Sequence, residues 1–236
     1  MTAILKPREG NLVDKPEYGL YAGYPIIAWF FILGAVGIFS TILGLYYGIP
    51  LMWIFGMMIV VVFLWPGIGI IASVRMNGPN HQNYPFLSNY ERPQVLDCGC
   101  GLGRRAIPLA RQMPAGGFLT GIDIFDKKSI NINSLERATK NVEIEGLSDR
   151  IKFMKGSVTE IPFGNEEFDV VTCMGVIHEM RSPALRQKAF QEVYRVLKPE
   201  GCFYISELSQ QNMIKYMGLF GLMFKDQKYW EQQVAK

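Results

Sequence analysis

Between Tyr18 and Val74 the chain has no Asp, Glu, Lys, Arg or His, a long gap in a sequence that is 19% charged. Two apolar runs fill the gap, Pro25 to Tyr47 and Leu51 to Val74, with Gly48-Ile49-Pro50 between them. A buried hairpin of a water-soluble protein would keep a polar face on each helix, and neither run has one. A signal peptide would have one shorter apolar core. Each run exceeds the roughly 20 residues that cross a bilayer core, so residues 24–74 are expected to form a transmembrane helical hairpin. Histidine is scarce, His81 and His178 only, which gives no basis for a metal centre. The four cysteines, Cys98, Cys100, Cys173 and Cys202, do not fall into paired C-x-x-C zinc spacing and read as reduced, buried thiols of a cytosolic domain. A net charge of +3 leaves no excess of positive charge for nucleic acid.

The hairpin carries its own detail. Trp29, Tyr46, Tyr47, Trp53 and Trp65 include side chains suited to anchoring at a membrane interface. Ser40, Gly44 and Gly48 form a small-xxx-small row that allows close helix pairing, within one hairpin or between chains of a homo-oligomer. Pro66-Gly67-Ile68-Gly69 is expected to kink or end the second helix early. The basic residues Lys6, Arg8, Lys15 and Arg75 all lie outside the hairpin, which places the tail 1–23, the rest of the chain and both termini on the cytoplasmic side. Residues 75–93, with His81, Tyr84, Phe86 and Tyr90, read as a linker that packs on the following domain or forms a lid over its site.

From residue 94 the pattern changes to strands alternating with helices, over 94–236. Strands are expected at Gln94–Cys98, Phe118–Asp123, Ile151–Lys155, Phe168–Cys173 and Cys202–Glu207. Helices are expected from about Gly103 to Met113, from Ser129 to Glu145, and from Ser182, an N-cap followed by Pro183. The last of these would bury Leu185, Ala189, Val193, Val196 and Leu197. Such alternation implies an α/β fold with a parallel sheet and a ligand site at the carboxyl ends of its strands.

The first strand ends in Val95-Leu-Asp-Cys-Gly-Cys-Gly-Leu-Gly103. Glycines at alternate positions, Gly99, Gly101 and Gly103, let backbone approach a ligand that a Cβ would block. Dinucleotide folds use G-x-G-x-x-G and set a pyrophosphate over the helix. Here the first glycine is preceded by Asp97, whose carboxylate would repel a pyrophosphate and attract a cation. Asp123, at the end of the second strand, suits a pair of ribose hydroxyls.

These residues, with Phe153 to Phe163, Phe168-Asp-Val-Val171, His178-Glu179 and Arg195 to Gly201, resemble the class I S-adenosylmethionine-dependent methyltransferases. The resemblance spans Gln94 to Glu207 and is nearest to the branch that includes the ubiquinone and menaquinone C-methyltransferases. It implies a Rossmann-like sheet of order 3-2-1-4-5 and S-adenosyl-L-methionine as cofactor. It implies cofactor contacts at Asp97, Gly99, Cys100, Gly101, Gly103, Asp123, Ile124, Gly156, Ser157, Val158, Cys173 and Met174. Ser157 stands where the family usually has Asp, and accepts more weakly from the adenine amine. His178 has the reference pKa of a general base, with Glu179 and Glu207 as lesser candidates. The stretch after Glu207 is too short for the family's terminal helix and antiparallel hairpin. The apolar stretch Asn212 to Phe224, within 210–230, is expected either to lie in the membrane interface or to cover the sheet. The resulting expectation is a membrane-anchored methyltransferase with the bilayer and a lipid-soluble small molecule as its partners. The rivals are an NAD-dependent membrane oxidoreductase and a non-catalytic protein of the same fold.

Overall fold

A computed structural model describes residues 15–19, 24–76 and 82–234. Residues 1–14, 20–23, 77–81 and 235–236, Lys6, Arg8 and His81 among them, fall outside these residues.

Helix α1, Tyr24–Tyr46, turns at Gly48 into α2, Pro50–Ile59. The second helix does not end at Pro66. It widens into a π-turn over Val60–Leu64 and continues as α3, Trp65–Met76. A proline cannot donate to the preceding turn, and the π-turn absorbs that mismatch without breaking the helix. The runs Ile27–Tyr46 and Pro50–Ala72 are each long and apolar enough to cross a membrane, and only 22% of either window is buried inside the protein. Trp29, Ile32, Val36, Phe39, Leu51 and Val61 all face outward. Core helices of a water-soluble protein bury such residues.

The helices meet at Ser40 and Gly44 of the expected small-residue row, extended by Gly37 and Gly56, while Gly48 stands apart. A Cβ on Gly56 would lie 2.5 Å from Thr41 N and 2.7 Å from Gly37 O. Gly44 presses against the Trp53 backbone, and Ser40 Oγ donates to Met52 O at 3.2 Å. Gly48 belongs to the turn instead, with φ +68° and no atom near its missing Cβ.

The α/β half is a five-stranded parallel sheet of order β3-β2-β1-β4-β5. β1 is Gln94–Cys98, β2 Phe118–Asp123, β3 Ile151–Lys155, β4 Phe168–Met174 and β5 Leu197–Ser206. β5 begins earlier than expected, at Leu197 instead of Cys202. A register irregularity between Phe168 and Val170 of β4 accommodates the extra length, so Pro199-Glu200-Gly201 lies within the strand. Helices α4, Ala106–Gln112, and α5, Leu135–Ile144, are shorter than expected. Ser134 caps α5, its Oγ accepting from Arg137 N at 3.2 Å. Residues 129–133 remain a loop. α6 is Pro183–Val196 and buries Ala189, Val193 and Val196, but Leu185 is 47% exposed and Leu197 opens β5.

Alternate residues of the strands serve opposite faces. Val95, Leu119 and Phe153 pack with Leu109, Ala138 and Val142 of α4 and α5. Leu96, Ile122 and Val171 pack with Phe190 and Val193 of α6. The latter face also receives Trp230 of α8, Gln227–Val234. Between β5 and α8, α7 (Gln210–Met217) and a 3-10 turn (Gly218–Met223) turn away toward the hairpin.

Candidate cofactor and substrate site

The central strand β1 pairs with β2 on one side and β4 on the other. The chain therefore reverses its direction of winding beside β1, and a crevice opens at the strands' carboxyl ends. A cleft of about 510 Å³ lies there, within the roughly 300–1,000 Å³ range of small-molecule sites.

Gly99 forms its floor, with φ +76°. A side chain there would collide with Val176, so only glycine lets the loop after β4 close onto the turn after β1. Asp123 forms one wall. Its Oδ2 accepts from Gly101 N at 2.9 Å, and its Oδ1 from Phe125 N at 2.5 Å and Asn133 Nδ2 at 3.2 Å. A carboxylate offers about four lone-pair sites, so one remains for a ligand hydroxyl. Asn133 Oδ1 is buried in the same wall without a partner, which supplies a second acceptor beside it. Phe125 has φ +55°, a conformation uncommon outside glycine, held where the backbone turns back to the Asp123 carboxylate. Ile124 is 57% exposed and faces the cleft, as do Gly156, Ser157 and Val158. These give an apolar slot next to polar backbone. Ser157 Oγ is engaged with Thr159, 2.9 Å from its Oγ1 and 3.2 Å from its backbone N–H.

The remaining expected contacts lie deeper. Asp97 is buried beneath the turn, where Thr172 Oγ1 donates to its Oδ1 at 2.6 Å. Burial pushes its carboxyl up to about 7, Thr172 and the Arg105 guanidinium oppose that rise, and the Asp123 charge adds to it. Cys100, Gly103, Cys173 and Met174 do not line the cleft. Cys100 and Cys173 are buried and their thiols are held well above the ordinary range, for Cys173 by the hydrogen bond with Cys98 as well as by burial. Gly103 packs on Ile107 and Phe153, and Met174 Sδ accepts from Tyr84 OH at 3.6 Å. β4 runs one residue further than expected, so Gly175 and Val176 take the cleft positions expected of Cys173 and Met174.

His178 and Glu179 separate in the structure. Glu179 lines the cleft and accepts from Ser129 Oγ at 2.6 Å. His178 lies just outside, with Nδ1 2.6 Å from Glu207 Oε2. A carboxylate only accepts, so Nδ1 carries a proton, and in the neutral ring Nε2 is the acceptor. Glu207, its side chain 2% exposed, also accepts from the backbone N–H of Val176 at 3.1 Å, Ile177 at 2.8 Å and His178 at 3.3 Å. It holds the whole loop after β4. That role, Asn133 and Arg105, whose Nη1 lies 3.4 Å from Ser206 Oγ, had no sequence signal. Glu207 comes from a segment distant in the chain, and Asn133 lies in a loop, ten residues after Asp123, where a helix was expected.

The segment before β1 does pack on the domain. Tyr84 stacks edge-on against Phe86 and Tyr204, and Gln82 Nε2 donates to Tyr204 OH at 3.2 Å. Tyr84 therefore stands over Met174 at the strand ends.

Residues 95–201 match the family profile described as a methyltransferase domain. The demethylmenaquinone methyltransferase of Lactobacillus johnsonii is 30% identical over 156 residues, covering 60% of this chain and 60% of that one. The sterol 24-C-methyltransferase of Pneumocystis carinii is 35% identical over 114 residues, covering 48% of this chain and 27% of its own. Among solved structures, a SAM-dependent methyltransferase of Methanosarcina mazei is 28% identical, with a TM-score of 0.47, covering 57% of this chain and 62% of that one. The chain thus spans between about a quarter and three fifths of the length of these curated relatives.

Proposed function

We propose that the α/β half, whose residues 95–201 match a methyltransferase domain profile, is S-adenosylmethionine-dependent and that the chain methylates a lipid-soluble acceptor at the cytoplasmic face of a bilayer. The observation that carries the proposal is one chain joining an open cleft at the carboxyl ends of β1 and β2 to a charge-free hairpin with outward-facing apolar side chains. The cofactor supplies a methyl group on a positively charged sulfur. The backbone at Gly99 would give it close approach, Asp123 and Asn133 would accept from its ribose, and Ile124 and Val158 would flank its base. Asp97, below the turn, contributes negative potential toward the cation. In-line transfer depends chiefly on alignment, which the buried Glu207 maintains by fixing the loop Val176 to His178. An acceptor that arrives protonated would give its proton to His178 Nε2, with Glu207 holding the ring. Glu179 is the second candidate at the cleft wall.

Anchoring raises the local concentration of an acceptor that shares the bilayer. The two curated relatives are named for demethylmenaquinone and for a sterol, both apolar acceptors. A quinone precursor fits this reading best, and a phospholipid headgroup is the other candidate. Incubating membranes that hold the full chain with methyl-labelled cofactor, then separating lipid from protein, tests the proposal. Label in an extractable lipid is the expected result. Label confined to protein or water-soluble products overturns the acceptor class. Cofactor binding without any transfer makes the chain a non-catalytic binder.

A further inference from the structure

We propose that the C-terminal excursion Gln210–Met223 inserts into the bilayer beside the hairpin and forms an apolar lip between membrane and cleft. The inference rests on the hairpin spanning the membrane. Its partner is the acyl region of the bilayer.

The excursion is closed at its base, where Gln210 N donates to Lys225 O at 2.8 Å. From there α7 runs out and the 3-10 turn runs back. Between Lys215 and Lys225 every residue, Tyr216 to Phe224, is uncharged. Leu219, Leu222 and Met223 are 73%, 57% and 81% exposed. In water these three would make a bare apolar tip.

The tip is set against the hairpin at a defined height. Phe220 stacks edge-on against Phe30 of α1, with centroids 5.3 Å apart, and lies 6.1 Å from Phe63 of the π-turn. Gly69 of α3 touches Tyr216 O, so any side chain at 69 would push α7 off the helix. Phe30 lies about one turn inside the run Ile27–Tyr46, and Phe63 lies well inside the end of Pro50–Ala72. At about 1.5 Å per residue those positions lie about 5 Å and about 14 Å below the domain-side ends of the spans. A side chain wedged between them shares their depth, comparable to the roughly 5–10 Å reached by interfacial helices. The backbone is suited to that position. α7 and the 3-10 turn satisfy most of their own groups, and Phe224 N donates to Gly221 O at 3.2 Å. Lys215 and Lys225 flank the tip and sit over Tyr216 and Tyr229. They can extend toward headgroups while the residues between them stay in hydrocarbon.

The excursion leaves the sheet directly after Glu207, the residue that holds the loop at the cleft. A membrane-inserted lip would therefore join lipid to the β4–β5 side of the site.

Site-directed spin labelling tests the lip, using the full chain with Cys202→Ser in vesicles of phosphatidylcholine and phosphatidylglycerol. Labels go at Met223→Cys, at Val36→Cys within the hairpin and at Lys228→Cys on α8. The expected result is that position 223 collides with dissolved oxygen and excludes a nickel chelate, as position 36 does and position 228 does not. Chelate access at 223 with protection at 36 overturns the lip and leaves the hairpin intact. Exclusion of both probes at 223 indicates protein burial and also overturns it. Chelate access at 36 overturns the hairpin itself. Leu222→Cys gives the same reading should the 223 variant fail to fold.

Discussion

Asp97 and Asp123 end neighbouring strands of the sheet, yet they sit in opposite environments in the site. Asp97 has almost no water contact, and burial holds its carboxyl near 7, against 3.8 ordinarily. A raised acid pKa means that the folded state keeps a proton that the unfolded state has lost. Stability contributed by this group therefore falls as pH rises from about 4 to 7 and changes no further above that. A cationic ligand reverses the preference by favouring the ionised form. Cofactor affinity is expected to rise about tenfold from pH 6 to pH 8 with release of up to one proton, measured by calorimetry in buffers of different ionisation enthalpy. Asp97→Asn should flatten that profile. Asp123 acts through hydrogen bonds, and Asp123→Ala removes a ligand acceptor and the anchor of Gly101 and Phe125. Charge-assisted bonds of roughly 1.5–3 kcal/mol predict a loss of at least tenfold in cofactor affinity, with membrane retention unchanged. Unchanged affinity in a titration of that variant would remove Asp123 from the ribose site.

Among the elements, the hairpin and the loop after β4 depend most on single contacts. The hairpin crossing has no space at Gly56, where a Cβ would already meet Thr41 N and Gly37 O. Gly56→Leu should separate the helices and lower stability by about 1–3 kcal/mol, read from thermal unfolding in detergent. Val61→Leu, on the outward face, should leave the transition where it is. The loop from Val176 to His178 is held by one carboxylate, with three backbone N–H groups and a ring nitrogen on Glu207. Glu207→Gln keeps the shape but presents a competing donor to those N–H groups. It should reduce turnover more than cofactor affinity if His178 takes a proton. Equal losses of turnover and of cofactor affinity in the variant would leave Glu207 with a structural role alone.

Among the described residues, three chain segments lie between the hairpin and the α/β half or next to their junction. The linker enters β1 past Tyr84, the C-terminal excursion returns to Phe30 and Phe63, and residues 15–19 lie on the α/β half ahead of the hairpin. In that strap, Glu17 N donates to Asn141 Oδ1 and Asn141 Nδ2 donates to Glu17 O, both at 2.9 Å. Asn141 Nδ2 also donates to Leu102 O at 2.9 Å, which ties the strap to the glycine turn. Arg104 donates to Gly19 O at 2.7 Å and lies over the Tyr18 ring. Asn141→Ala would leave buried groups unpaired at about 1–3 kcal/mol each. Limited proteolysis should then cut near residue 19 faster than in the parent chain, and equal rates would remove the strap from this account.

The strand positions other than the start of β5, the parallel α/β class and the two apolar helices were legible from residue order. They rest on local pattern: short apolar runs bounded by turn residues, alternate glycines after Asp97, and the uninterrupted absence of charge from Tyr18 to Val74. Chain order could not say which small residues meet, since Gly37 and Gly56 become neighbours only when α1 packs on α2. Nor could it find Asn133 beside Asp123, Glu207 under the loop after β4, or Phe220 between Phe30 and Phe63. The apolar tail fitted both the membrane interface and the sheet by composition, and tertiary packing divided it, with Trp230 on the sheet and Phe220 on the hairpin. Local pattern records which surfaces must leave water. Only the folded chain decides which surfaces they meet, because that depends on contacts between residues far apart in sequence.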